Sequence, residues 1–350
     1  MVESRIAMIC FGDILNAQNG YALRCKMLAE SLLDPGLREL DVYQFGEETS
    51  HREAEGMNVI TVEVSHEKEK AKNQSSTIGF NIYKELKFPI EGFVKLLKYR
   101  KKFKEYDEIY IEGCLLINAF LLSKVFRKKI VMDTHCVNKA VALGIRKKNF
   151  FIGSVRVLLW HVIEKSLLSF SDEVIVLSEV DRRFIKKHYK ISDKKIRFIP
   201  HKVNKASLES SDIVNALRKK YIKDYKNIAF FLGDLGAIQN KDSVKFIINH
   251  LAPHVPRTHF LVAGNNPENL ISQQNITFLG FVDSLSAFIM ASDVCIAPMS
   301  IGSGIKTKVL DYLEHSRPVL ATKVAAEGIP PTELLKVIEL KDFSKYIKDL

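Results

Sequence analysis

Short apolar runs alternate with amphipathic stretches along most of the chain. Several apolar runs are rich in β-branched residues, as in Val174–Val176, which is typical of strands buried on both faces of a parallel sheet. These runs predict strands at Ile6–Phe11, Leu40–Phe45, Val59–Val62, Glu108–Glu112, Lys129–Asp133, Glu173–Leu177, Ile196–Ile199, Ile228–Leu232, Thr258–Ala263, Ile276–Leu279, Val294–Pro298 and Val319–Thr322. The stretches between them predict helices at Tyr21–Leu33, Gly92–Phe103, Phe150–Phe170, Glu179–His188, Ser210–Tyr221, Ser243–Leu251, Ser284–Ala291 and Lys306–His315.

This β/α alternation predicts parallel sheets built from right-handed crossovers. About twelve parallel strands in one sheet would be unusual, and 350 residues suggest about two domains. We therefore predict an α/β protein with two Rossmann-like, doubly wound domains. The irregular segment Pro200–Asn204 places the predicted boundary after residue 202, with a second domain over 203–340 and a helix in 341–350 that packs back on the first domain.

The composition, 47% hydrophobic and 27% charged residues, is that of a soluble globular protein and excludes disordered and fibrous classes. Charged or polar residues interrupt every apolar stretch before the roughly 18 residues that a membrane span needs. The N-terminus does not read as a signal peptide. The five cysteines are scattered without a C-x-x-C pair, which favours free thiols in a reducing cytoplasm.

The chain is basic, with 52 Lys and Arg against 41 Asp and Glu, and this favours anionic partners. Two segments concentrate the basic and aromatic residues: Lys95–Lys104, and Phe150–Trp160 directly after Arg146-Lys147-Lys148. They are either solvated helix faces or a surface that rests on the inner face of an anionic membrane. No nucleic-acid partner is expected, since no RNP-like motif, zinc finger or obvious helix-turn-helix occurs.

The segment Val294–Gly328, VCIAPMSIGSGIKTKVLDYLEHSRPVLATKVAAEG, reads as a strand, a glycine-containing loop, a helix and a second strand. Gly302 and Gly304 precede the helix, and a helix start with free N–H groups binds phosphate. Lys308 and Asp311 lie three residues apart and so share one side of this helix. They form either part of such a site or a surface salt bridge.

This segment resembles the donor-binding signature of GT-B glycosyltransferases, above all the large retaining group 1 or family 4. Other segments resemble further parts of that family in the expected order: Asp133-Thr134-His135, the interdomain Ile199–Asn204, Phe230–Phe246 and Gly280-Phe281-Val282. The resemblance is strong after residue 228 and weak before residue 130. It implies two domains facing across a cleft and transfer of a sugar from a nucleoside diphosphate sugar, in the synthesis of cell-surface polysaccharide or glycoconjugates.

The resemblance also implies the site residues. The donor diphosphate would lie on the turn Gly302, Ser303, Gly304, Ile305 and Lys306 with Lys308, and Asp311 would hold the ribose. Gly233, Asn240 and Lys241 would line the opposing loop, with Glu327 near the base or sugar. In the first domain, Asn19 and Gly20 would face the phosphates and His135 the donor sugar, unless His135 is a structural residue. The implied catalytic set is His135, Lys308 and Asp311.

Metal chemistry is not expected, because the chain lacks Asp-x-Asp and any cluster with metal-ligand spacing. We expect no cofactor other than the donor substrate, which would be a UDP- or GDP-sugar. Ser303 stands where many relatives have the first of two acidic residues, and Asp234 where many have arginine. These departures keep one alternative open, a non-catalytic partner or acceptor-binding protein. A nucleotide-sugar epimerase on the same two-domain fold is a second alternative.

Overall fold

The computed structural model describes residues 4–11, 13–16, 20–33, 38–46, 48–64, 91–92, 94–113, 117–135, 137–200, 209–266 and 269–350. The chain divides into two compact units, Met1–His201 and Lys202–Leu350. The predicted loop at 66–77 and the cysteines Cys114 and Cys136 lie outside the described residues.

The first unit is built on an eight-stranded sheet in the order β3-β4-β2-β1-β5-β6-β7-β8. Every neighbouring pair is parallel except β3 with β4. Its strands are β1 (Ser4–Phe11), β2 (Arg38–Gly46), β3 (Ser50–Ala54), β4 (Met57–Glu63), β5 (Glu108–Glu112), β6 (Lys129–Thr134), β7 (Glu173–Val176) and β8 (Ile196–Phe198). Its helices are α1 (Gly20–Leu32), α2 (Arg100–Phe103), α3 (Ile117–Val125), α4 (Asn138–Lys148), α5 (Phe150–Phe170) and α6 (Glu179–Tyr189), with 3-10 turns at Leu97–Tyr99 and Asp193–Lys195.

The second unit has a six-stranded, all-parallel sheet in the order β11-β10-β9-β12-β13-β14. Its strands are β9 (Asn227–Leu232), β10 (Thr258–Ala263), β11 (Ile276–Gly280), β12 (Val294–Ala297), β13 (Val319–Ala321) and β14 (Leu335–Val337). Its helices are α7 (Ser211–Ile222), α8 (Ile238–Phe246), α9 (Leu285–Ala291), α10 (Thr307–Glu314) and α11 (Phe343–Lys348), with a π-helical turn at Ile247–Leu251 and 3-10 turns at Ala252–His254 and Leu340–Asp342.

Each sheet is buried on both faces, as the apolar runs predicted. In β9, Ala229 and Phe231 join one core cluster while Ile228 and Phe230 join the cluster on the other face. In each sheet the chain order reverses next to the first strand of the unit, between β1 and β5 and between β9 and β12. Ligands of open parallel α/β sheets bind at the carboxyl ends of the strands at such a reversal.

The structure corrects several predicted elements. Helices α3 and α4 and the edge strands β3 and β14 were not predicted, and Gly92–Phe103 is not one continuous helix. The helix near the C-terminus was expected to pack on the first domain. That expectation stays a prediction; within the second unit, Phe343 and Ile347 lie one turn apart on the same helix face and belong to the core.

Candidate functional site

The turn between β12 and α10 folds tightly around the side chain of Lys306. Gly302 and Gly304 have φ values of 148° and 71°, a region that disfavours residues with a Cβ. Lys306 Nζ donates to the carbonyl oxygens of Ser303 at 3.0 Å and Gly304 at 2.5 Å. Ile305 between them is half-buried. The turn is therefore closed by a cation that is itself largely buried.

Helix α10 begins with free amide groups. Its N-cap residue is Lys306, and within the described residues no side chain caps this helix start. The first helical hydrogen bond runs from Val309 N to Lys306 O at 2.9 Å. The amides of Thr307 and Lys308 therefore lack a helical acceptor, and the positive end of the helix dipole lies here. Such a helix start is a binding site for an anion.

Lys308 is a buried lysine next to this helix start. Its Nζ donates to Asn240 Oδ1 at 2.7 Å and lies 4.3 Å from the centre of the Phe231 ring. Burial, together with the smaller effect of the nearby Lys306 charge, lowers the pKa of Lys308 to about 7. An anion stabilises a buried cation strongly when the cation has only one neutral hydrogen-bond acceptor.

Asn240 is held in place by a glycine on the loop after β9. A Cβ on Gly233 would lie 2.7 Å from Asn240 Cγ, so only glycine allows the amide so close. Asn240 Nδ2 donates to Asp234 O at 2.9 Å, which turns its Oδ1 toward Lys308. Lys241, the next residue, lies in the first turn of α8 and bonds Ala237 O through its backbone. The sequence analysis missed Phe231, although it lies two residues before the glycine of the same loop.

Two carboxylates complete the set in the second unit. Burial raises the pKa of Asp311 to about 6, and His315 opposes that shift. Burial also raises the pKa of Glu327, against the opposing charge of Lys306. Among the described residues, neither carboxylate receives a hydrogen bond, and the surface salt bridge from Lys308 to Asp311 does not form, because Lys308 is bonded to Asn240. Both groups are open to donors from a ligand.

The other predicted residues lie in the first unit. Gly20 is the first residue of α1, and Asn19 lies outside the described residues. His135 directly follows β6, and its Nε2 is 2.8 Å from Glu112 Oε2. The ring of Tyr21 stacks on His135 with centroids 4.2 Å apart. His135 is thus embedded in a polar cluster that the sequence analysis did not foresee.

The predicted residues fall into two groups. In the second unit, Lys306 bonds Ser303 and Gly304 and lies against Gly302, while Lys308 bonds Asn240, which lies against Gly233. The charge of Lys306 acts on Glu327, and Asp311 lies one turn along α10 from Lys308. This group lies at the carboxyl ends of β9 and β12, where the strand order reverses. Gly20 and His135 form part of the other group, at the corresponding reversal of the first sheet.

Two parallel-sheet α/β units of this kind define the GT-B class, and comparison with solved structures confirms that fold. Sucrose-phosphate synthase from Thermosynechococcus elongatus matches with a TM-score of 0.76 at 15% identity, over 99% of this chain and 89% of that one. Anabaena HepE in complex with UDP and glucose matches with 0.68 at 14%, over 99% and 89%. WaaG, a glycosyltransferase involved in lipopolysaccharide biosynthesis, matches with 0.66 at 15%, over 98% and 90%.

A family model matches most of the second unit. Residues 226–347 match the family model described as glycosyl transferases group 1. This match, together with the fold shared with the solved structures, confirms the predicted resemblance to group 1 GT-B glycosyltransferases. A comparison with curated proteins found no match.

Proposed function

We propose that the protein moves a sugar from a nucleoside diphosphate sugar to an acceptor, and that Gly302–Lys308 binds the diphosphate. Buried Lys308 carries this proposal: among the described residues, its one hydrogen-bond acceptor is the Asn240 amide oxygen, and no side chain caps the start of α10 where it lies. The structures of Anabaena HepE that resemble this chain contain UDP, glucose and UDP-glucose. These ligands support a UDP-sugar as the first donor to test.

The same residues would stabilise the departing diphosphate. As the bond from the sugar to phosphate breaks, negative charge grows on the phosphate oxygens. The helix start and Lys308 supply fixed positive potential there, which stabilises the transition state without reorganisation. A dianion next to Lys308 also favours its charged form, so that nucleotide binding takes up a proton near pH 7. We propose that this arrangement needs no resident cofactor or metal on the donor.

Asp311 and Glu327 supply the polar contacts to the rest of the donor. We assign the ribose hydroxyls to Asp311, one helical turn beyond the diphosphate site, and the base or sugar to Glu327. Both carboxylates are half-buried and receive no hydrogen bond within the described part of the chain, so a ligand hydroxyl would satisfy them. In the first unit we assign His135 to the donor sugar, with Asn19 and Gly20 near the phosphates, and a retaining outcome, all on the family resemblance.

A ligand panel tests the proposal directly. The melting temperature of the full chain is measured with UDP, GDP, ADP and CMP. One nucleoside diphosphate at about 100 times its dissociation constant should stabilise the protein by roughly 2.7 kcal/mol. The Lys308→Met variant should lose this shift, whereas Lys245→Met, which changes an exposed lysine of α8, should keep it. If no nucleotide raises the melting temperature, the non-catalytic alternative replaces this proposal.

We propose that the acceptor is a glycan, a lipid-linked glycan or a protein at the cytoplasmic face of a membrane. None of the helices in the described segments is long and apolar enough to cross a bilayer. Helix α5, however, exposes Phe151, Val155, Leu158 and Val162, whose spacing of four, three and four residues forms one stripe. Phe151 is 81% exposed. An apolar stripe of this kind fits a membrane surface better than water.

Basic residues flank the stripe. Arg146 and Lys147 at the end of α4 are exposed and directly precede α5. Their charge complements anionic headgroups, each basic residue contributing about 1 kcal/mol near such a surface. The exposed lysines of Lys95–Lys104 are a second basic surface of the same unit, although Lys102 pairs with Asp41 at 3.1 Å.

Vesicle flotation tests the membrane contact. The protein should float with phosphatidylglycerol vesicles and not with phosphatidylcholine vesicles, and Phe151→Asp with Leu158→Asp should abolish flotation. Ile271→Asp changes an equally exposed apolar residue of the second unit and should have no effect. If the double variant at Phe151 and Leu158 floats as well as the wild-type protein, this stripe is not the membrane-binding surface.

A further inference from the structure

The first unit contains a buried polar cluster where the strand order of its sheet reverses. Glu112 ends β5, His135 follows β6, and Cys25 lies on α1. Cys25 Sγ is 3.9 Å from both Glu112 Oε2 and His135 Nε2, and the last two atoms are 2.8 Å apart. These three residues are far apart in the sequence, so no ligand spacing could reveal them.

We propose that Cys25, Glu112 and His135 form a binding site for one divalent cation of borderline softness, with Zn²⁺ as the expected ion. One thiolate, one imidazole and one carboxylate are the donors that Zn²⁺ takes in sites with a fourth position left for water. The proposal concerns residues of the first unit; it shares His135 with the assignment to the donor sugar, and none of its residues belongs to the proposed diphosphate site of the second unit.

The geometry is close to that of a tetrahedral site. Zinc binds sulfur at about 2.3 Å and nitrogen or oxygen at about 2.0 Å. In a tetrahedral site these bonds place the sulfur about 3.5 Å from the nitrogen and from the oxygen, and the nitrogen about 3.3 Å from the oxygen. The observed separations differ from these by about half an ångström. Small side-chain rotations would therefore open the hydrogen bond from His135 to Glu112 and bring Cys25 closer.

An unsatisfied buried atom independently points to a ligand here. Glu112 is fully buried, and among the described residues its Oε1 has no hydrogen-bond partner. Arg24 Nε donates to Asp133 at 2.9 Å, and Arg24 Nη2 is likewise without a partner in the described part of the chain. Buried polar atoms without partners are rare in native proteins and call for an explanation. A cation bound to the Glu112 carboxylate would explain the unpartnered oxygen.

The charges of the cluster also balance with a metal. With Cys25 bound as the thiolate and Glu112 as the carboxylate, a divalent cation would make the ligand set neutral in sum, beside the paired charges of Arg24 and Asp133. Binding would then join α1 to the ends of β5 and β6.

Cobalt substitution tests the site on the full, untagged chain. With one equivalent of Co²⁺, the wild-type protein should show a thiolate-to-cobalt charge-transfer band and intense tetrahedral d–d bands, and Zn²⁺ should bleach both at one equivalent per chain. Cys25→Ser should remove the charge-transfer band and His135→Ala should weaken binding at least tenfold. Cys295→Ser, which changes a buried free thiol of the second unit, should alter nothing.

The wild-type spectrum alone can overturn the proposal, so it does not depend on the variants folding. Binding of less than a tenth of an equivalent of Co²⁺, a spectrum without a thiolate band, or an unchanged band in folded Cys25→Ser would each refute the site. Nucleotide-dependent stabilisation is measured on the same samples, so failure here and failure of the donor site are told apart.

Discussion

Replacing Lys308 with methionine should make the protein more stable and less able to bind its donor. Methionine keeps the length of the side chain and removes the charge. A lysine whose pKa falls from its ordinary 10.5 to about 7 on folding costs about 4 kcal/mol at pH 7, since each tenfold change in proton affinity is worth about 1.4 kcal/mol. Lys308→Met removes this cost and should raise the free energy of unfolding by most of that amount.

The pH dependence has a definite sign. Between about pH 7 and pH 10.5 the unfolded chain holds the Lys308 proton and the folded chain does not. The free energy of unfolding of the wild-type protein therefore rises with pH in this window because of Lys308. Below pH 7, Lys308 destabilises the folded protein most. The advantage of the methionine variant should be constant below pH 7 and shrink by about 1.4 kcal/mol per pH unit above it.

Thiol labelling of Cys295 measures the stability of the second unit, which contains Lys308. Cys295 is a buried free thiol on β12, so its modification in urea reports opening of the second unit. Wild type and variant are compared at the same pH, which cancels the intrinsic reactivity of the thiol. Nucleoside diphosphate affinity should fall by about tenfold to a hundredfold, the worth of a charged hydrogen bond.

Lys245→Met is the control and should change neither stability nor binding, since Lys245 is exposed. The reasoning would be refuted if Lys308→Met lowered stability at pH 7 and the difference did not vary with pH. That outcome would mean that the Lys308 ammonium is already stabilised in the unliganded protein.

Three further substitutions have defined outcomes. Gly233→Ala should weaken nucleoside diphosphate binding about tenfold by calorimetry, because its Cβ would push Asn240 from Lys308; unchanged affinity would contradict that contact. Asp311→Asn should weaken binding of UDP about tenfold and that of 2′,3′-dideoxy-UDP less than twofold; equal losses would exclude the ribose role. Glu164→Ala should cost about 3 kcal/mol in urea unfolding of the first unit, since Glu164 accepts bonds from the backbone and side chain of Asn138; a loss under 1 kcal/mol would argue against that role.

The parallel strands could be predicted because burial on both faces leaves a continuous apolar signal. β10 (Thr258–Ala263) is fully buried and has the same first and last residues as the predicted strand. The edge strands β3 and β14 carry exposed residues and lack that signal. Helix α4 was missed for a related reason, because its charged residues conceal the few positions that face the core.

The candidate donor site could be predicted in its residues but not in its electrostatics. The glycines and Lys308 stand in a recognisable order along one segment. Helical periodicity places Lys308 opposite the core face of Val309 and Tyr312, which predicts an exposed cation. Lys308 is buried because Asn240 of helix α8 and Phe231 of β9 contact it. The Cys25, Glu112 and His135 cluster could not be predicted from the sequence, since the pairing of β5 with β6 and the packing of α1 bring it together.

The central claim is that the turn before α10 binds the two phosphates of the donor. Hydrogen–deuterium exchange of the full chain with saturating UDP, compared with uridine, tests it most directly. We predict that UDP slows exchange of the amides in peptides covering residues 302–309, that uridine does not, and that Lys308→Met greatly reduces the effect. Unchanged exchange of these peptides while UDP is bound, with protection elsewhere in the chain, would contradict the claim.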